Sequence, residues 1–250
     1  MQKLTSLAAL TLAGLMALGN PAVAQSGAKD AATDKPASGN WSREITQVRN
    51  GHLIGNPNAE AKLTAFISYT CSHCATFAKQ GETLLLLAYV PSGKVSLEVR
   101  HLLRDPVDLT AAMLTQCGDA ENFPLNHSAM MHGQGKWMEI AQKATQAQRA
   151  RWQYGAPAKR RRAIASDLGF YDLMKQRGYD RIELDQCLAD DEKAAQLAET
   201  SQADAQAFAI ASTPSFLLDG ALMEGVHGWR DLQPALDQYF VSPNLGQDSE

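Results

Sequence analysis

Two cysteines three positions apart, in Thr70-Cys71-Ser72-His73-Cys74, are the residues of this 250-residue chain whose type and spacing could do chemistry. They follow the apolar run Leu63 to Tyr69 and precede a segment predicted helical from Cys74 to about Ala88, so they sit on a strand-to-helix turn. A thiol at a helix N-terminus faces backbone N–H groups and the positive end of the dipole, which favour a thiolate. Cys74, in the first turn on nearly the same side, lies close enough to Cys71 for a disulfide. This is the pattern of thiol–disulfide exchange: Cys71 as the more exposed, attacking sulfur and Cys74 as the buried one that resolves the mixed disulfide. Half of a zinc site is the competing reading, but Zn²⁺ needs four ligands. Cys117 and Cys187 stand far apart, and His73, His127 and His132 fall in no zinc spacing, so no metal is expected.

The elements that must position these sulfurs lie between two segments expected outside the fold. Met1-Gln2-Lys3, the apolar run Leu4 to Leu18 and the small residues Ala22-Val23-Ala24 read as a signal peptide over 1–24, too short for a spanning helix. Cleavage would deliver a soluble protein to a bacterial periplasm or a similar oxidising, exported space, where disulfides persist. Removing 24 of 250 residues leaves 226, enough for one sizeable domain or a domain with a large insertion. The leader's one charge is Lys3, so the remainder carries 22 − 27 = −5, an acidic balance with no general nucleic-acid footprint. Residues 25–40 lack apolar periodicity and are expected to be a flexible leader, and 242–250 a polar tail.

Between them, Glu44 to Val48 reads as a short edge strand, and His52-Leu53-Ile54-Gly55-Asn56-Pro57 as a turn. Lys62 to Tyr69 reads as a buried strand and Val95 to His101 as an alternating one, which with the intervening helix makes a right-handed βαβ unit. Helical pattern then dominates from about 108 to 209. Leu109, Met113 and Cys117 share a face that Gly118 ends, and further helices are expected at 124–131, 137–152, 159–168, 171–177, 182–188 and 192–208. The run Lys159-Arg160-Arg161-Arg162 reads as a solvated surface, and His127 and His132 as core or surface residues, being five apart. Ser212 to Met223 reads as a hairpin turning at Asp219-Gly220, and Trp229 to Phe240 as a closing helix.

Strand, Cys-x-x-Cys, helix, strand, helical insertion, then Thr213-Pro214 opening a hairpin before a last helix: this order resembles an α/β thioredoxin fold with an inserted helical subdomain, and within it the DsbA family of exported thiol:disulfide oxidoreductases. The likeness covers roughly 54–240, with the domain expected over 41–241. It implies that His73 lowers the pKa of Cys71 by a hydrogen bond or a positive charge. Such a thiolate leaves readily and makes the disulfide an oxidant. It also implies that Pro214 is cis and brings the backbone of Thr213 beside the sulfurs, to pair with an extended substrate. Two positions depart from the family: Ser72 stands where many relatives have proline, and Ala65 where a buried acid often stands. Handling of the Cys74 proton must then run through water or another residue. In an oxidising compartment Cys117 and Cys187 are expected to form a second disulfide, as in some relatives, with two buried thiols as the alternative.

The resemblance implies an enzyme without a cofactor, a protein disulfide oxidoreductase that donates its Cys71–Cys74 disulfide to reduced or unfolded exported proteins. A membrane reoxidase of the DsbB type would recycle it. A monomer is expected, because 25–40 offers little apolar surface for an oligomerising segment. A disulfide isomerase or reductase of the same fold is the runner-up. From another class come a non-catalytic client-binding chaperone and a metal-buffering protein.

Overall fold

A computed structural model describes residues 39–49 and 51–241 of the chain. The expected signal peptide and polar tail lie outside the described residues, as does the leader expected over 25–40 except for its last two residues. Ile45–Val48 forms β1, Gly51–Gly55 β2, Ala61–Ile67 β3, and Ser72–Phe77 the helix α1. The helical path continues past α1 through two wider π-type stretches, Ala78–Glu82 and Leu85–Tyr89, and ends in a short turn at Gly93, whose φ of 81° suits glycine. Val95–His101 is β4. Seven helices follow: α2 (Pro106–Thr115), α3 (Phe123–Gln142), α4 (Gln146–Gln153), α5 (Pro157–Asp167), α6 (Phe170–Lys175), α7 (Arg181–Ala189) and α8 (Asp191–Ala207). The chain then returns to the sheet as β5 (Ser215–Leu218) and β6 (Ala221–Leu222), and closes with α9 (Trp229–Val241).

The sheet runs β1-β2-β4-β3-β5-β6. β3 and β4 pair in parallel, as a crossover through α1 requires, and every other pair is antiparallel. β3 lies between β4 and β5 and is buried on both faces. Leu63, Ala65 and Ile67 join the main core, while Phe66 points the other way to Leu217 and Ile210. A strand so enclosed ends at a fixed place, and that place is the approach to Cys71.

Two expectations about the elements are corrected. Of the expected turn at 52–57 only Asn56 and Pro57 take part: Gly51–Gly55 is a strand between β1 and β4, and the turn follows it, where Asn56 Oδ1 accepts the N–H of Asn58. His52 is a buried strand residue stacked on Phe123 with ring centroids 3.9 Å apart. The two helices expected at 124–131 and 137–152 are differently divided, since α3 runs unbroken through Gly133 and Gly135 to Gln142. A Cβ at Gly133 would meet Leu173 Cδ1 at 3.0 Å, so that glycine permits α6 to approach rather than ending a helix. The break falls instead at Thr145, which caps α4 in a reciprocal box with Gln148.

The basic run at 159–162 is tied into the helices. Arg161 is buried, donates from Nε to the carbonyl of Leu188 at 2.7 Å and pairs with Asp191, while Arg162 donates to the carbonyl of Asp185 at 2.9 Å.

Candidate active site

β3 delivers the chain into Ser68-Tyr69-Thr70, and Cys71 follows as the N-cap of α1, with extended backbone at φ −93°, ψ 120°. Cysteine caps poorly and makes no side-chain cap bond here, which leaves its sulfur free for other partners. Cys74 lies in the first turn, and the two sulfurs are unbonded. Both are buried, Cys71 the less so, at 4% exposure against 0%. The backbone N–H of Ser68 donates to Cys74 Sγ at 3.5 Å, and Cys71 Sγ lies 3.2 Å from the carbonyl oxygen of Thr213, to which it donates only when protonated. The Thr213–Pro214 peptide bond is cis, and the carbonyl of Pro214 lies 3.0 Å from His227 Nδ1.

The electrostatics separate the pair. Cys71 is lowered from 9.0 to about 4, chiefly by the Cys74 thiol hydrogen-bonding to it. Burial opposes this, and the Thr213 hydroxyl and the backbone N–H groups of Cys74 and His73 assist it. Cys74 is driven far the other way, first by burial and then by its hydrogen bond to Cys71 and the charge there. At neutral pH the pair therefore holds one thiolate and one thiol. The backbone N–H of His73 is among the groups that lower Cys71, and His73 and Ser72 are both exposed.

Several residues that sequence reading did not single out hold the loop. Asp108, fully buried in α2, accepts from Ser68 Oγ (2.6 Å), Tyr69 N (2.7 Å) and Arg104 N (3.0 Å). Burial raises its carboxyl to about 7, and those donors partly offset the rise. Gln134 in α3 donates from one Nε2 to the carbonyls of Tyr69 (2.6 Å) and Cys71 (2.8 Å). Tyr69 Oη contacts His127 Nδ1 at 2.8 Å, and His127 Nε2 contacts Glu82 Oε2 at 2.9 Å, a buried line of polar groups under the loop. Ala65 is buried mid-strand opposite Val99 and Phe216, so the carboxylate against this loop is Asp108, on another element. Nothing local marks it: Asp105 and Pro106 announce the start of α2, but which acid turns inward depends on the packed structure.

Cys117 and Cys187 are joined, with sulfurs 1.92 Å and Cα atoms 5.8 Å apart, tying the end of α2 to α7. The reactive sulfur borders a cavity of about 280 Å³ lined by Cys71, His73, Leu102, Arg104 and Thr213. His132, by contrast with His127, is exposed on α3.

A family model described as thioredoxin matches residues 47–238. The crystal structure of a protein-disulfide isomerase from Novosphingobium aromaticivorans is 42% identical, with a TM-score of 0.73, covering 76% of this chain and 98% of that one. Wolbachia pipientis alpha-DsbA1 shares the fold at 17% identity and a TM-score of 0.62, over 78% of this chain and 94% of its own. A Rickettsia prowazekii protein, whose name assigns it provisionally to the protein-disulfide oxidoreductases, is 26% identical over 70% of this chain and 56% of its own length. This chain spans little more than half of that curated relative and of two others from the same genus, at 57% and 54%.

Proposed function

The chain belongs to the thioredoxin family, and within it we propose a protein disulfide oxidoreductase that donates the Cys71–Cys74 disulfide to other chains. The observation that carries this reading is the unequal pair: a Cys71 held as thiolate at a helix cap, beside a buried Cys74 held as thiol. In the oxidised protein, a client thiolate attacks Cys71 Sγ, and the Cys71–Cys74 bond breaks with the electron pair going to Cys74, which takes up a proton. A second client thiolate then attacks the client sulfur of the mixed disulfide and expels Cys71 as thiolate. The client gains a disulfide and the protein is left with Cys71 S⁻ and Cys74 SH. A sulfur with a pKa of about 4 is a good leaving group, and its stability as thiolate favours the reduced form, which makes the disulfide oxidising.

Thr213 borders the same sulfur and is joined to Pro214 by a cis bond, in keeping with a role in lining up an extended client. Clients would be reduced or unfolded exported proteins, met after a leader over 1–24 had directed the chain to the periplasm. A membrane reoxidase of the DsbB type would restore the disulfide to the monomer, and Cys117–Cys187 would serve as a structural bridge. The test is catalytic oxidation of a reduced, unfolded protein: the oxidised chain should turn over with a disulfide reoxidant, and Cys71→Ser should abolish turnover. Undiminished activity in that variant would end the reading.

A second reading, disulfide isomerase, draws support from the 42% identical relative bearing that name. Recovery of activity from scrambled, already oxidised substrate, without net oxidant, would favour it. A protein with neither activity would leave the client-binding or metal-buffering readings.

A further inference from the structure

We propose that the cleft leading from Cys71 past Arg104 to Trp152 receives the client segment next to its reacting cysteine, selecting a bulky apolar side chain flanked by a carboxylate. The inference rests on the oxidoreductase reading and names the client chemistry that this site would prefer. Arg104 lines three cavities: the one beside Cys71, a second of about 380 Å³, and a third of about 290 Å³. Thr70, the chain neighbour of Cys71, lines the second. An extended client rises about 3.3 Å per residue, so the side chain it would place there is expected within a few positions of its cysteine.

The floor of the second cavity is apolar, formed by Val107, Met138 and Trp152 with Ile164. Its rim is basic. Arg104 is exposed, and its guanidinium has no partner among the described residues. Arg149 spends its donors on the carbonyls of Gln142 and Ala144, yet keeps its charge at the cleft, and Arg160 lines the third cavity. The one carboxylate on this rim, Asp105, is occupied: Oδ1 accepts the N–H groups of Val107 and Asp108, and Oδ2 the Thr70 hydroxyl. A chain of net charge −4 thus places two arginines, Arg104 and Arg149, on an apolar hollow, with Arg160 on a further cavity that shares Arg104 and Trp152 with it. An apolar hollow rimmed by guanidinium groups complements a polypeptide that carries an aromatic or aliphatic side chain next to Asp or Glu.

The experiment uses four reduced single-cysteine peptides, with Phe or Ala two residues from the cysteine and Glu or Lys beside that position. Each peptide's rate of reducing the oxidised full chain is divided by its rate with a small aromatic disulfide, which removes differences in its own thiol. The Phe/Glu peptide should be the fastest, and Glu should beat Lys by up to about fivefold at low salt. High salt should erase that charge preference. Arg104→Glu should reverse the order of the Glu and Lys peptides; the Arg104 side chain has no structural partner, and the salt series on the unaltered chain is an independent readout. Equal normalised rates for all four peptides, or an unchanged order in R104E, would overturn the inference while leaving the oxidoreductase reading intact. Failure of every peptide and of glutathione to reduce the protein would remove both.

Discussion

Cys71 and Cys74 differ by three positions and by their protonation. The lowered pKa of Cys71 has a consequence for stability whose sign is fixed by linkage. A depressed acid stabilises the dithiol protein fully above its unfolded value, near 9.0, and the contribution shrinks as pH falls and is gone below the folded value of about 4. The disulfide form has no such group. The stability of the reduced protein relative to the oxidised one should therefore widen as pH rises from 4 to 9, and the thiolate ultraviolet absorbance should titrate near pH 4. A midpoint near 8 would contradict the environment described for this sulfur. Asp108 works in the opposite sense, its raised pKa costing stability as pH climbs from 3.8 to about 7, but it is present in both redox forms and leaves the comparison unaffected to first order. At this scale the Cys71 and Cys74 spacing was legible locally, whereas Thr213-Pro214 stood out only through the resemblance to a family, a Thr-Pro pair alone being unremarkable. Gln134 and Asp108 were not legible: they meet the loop across sequence separations of 63 and 40, and many other Gln and Asp residues look the same in one dimension.

The strands and helices were legible where hydrophobic period and caps agree, as in β4 or in α7, with Asp180 and Glu183 forming its capping box. They were misread where a residue's type and its burial part company. β2 is the clearest example, a strand opening with Gly51 and holding a buried histidine. A Cβ at Gly51 would lie 2.0 Å from the carbonyl oxygen of Val99, so the glycine lets β2 approach β4. Gly51→Ala should force these strands apart and lower stability by about 2 kcal/mol or more in urea unfolding. A loss under about 0.5 kcal/mol would mean that the pairing adjusts without resistance. Gly133 illustrates the same difficulty in a helix. The sequence rule that glycine ends helices competes with the need of α6 for space, and only the packed neighbour decides.

For the whole molecule, the topology was accessible because a βαβ unit and a returning hairpin leave few ways to complete the sheet. The arrangement of the seven helices was not, because each one's periodicity reports that a face is buried and not against what. The Cys117–Cys187 bond fastens two of them across 70 positions. In the chain-entropy estimate, replacing both residues with serine should cost about 4 kcal/mol, seen as a lower denaturant midpoint for a protein still able to fold. An unchanged midpoint would mean that the bond adds nothing the packing does not already supply.

The grip of Gln134 on the carbonyls of Tyr69 and Cys71 has a practical corollary for anyone seeking a minimal catalyst. Pruning the chain to its sheet, α1 and α9 would retain both sulfurs and the cis proline, yet strip away the Gln134 amide that holds two carbonyls of the reactive turn and the Asp108 carboxyl that accepts from its start. Transplanting the four-residue motif into a smaller scaffold would then transfer the chemistry's ingredients without its aim, unless surrogates for those two side chains travelled with it.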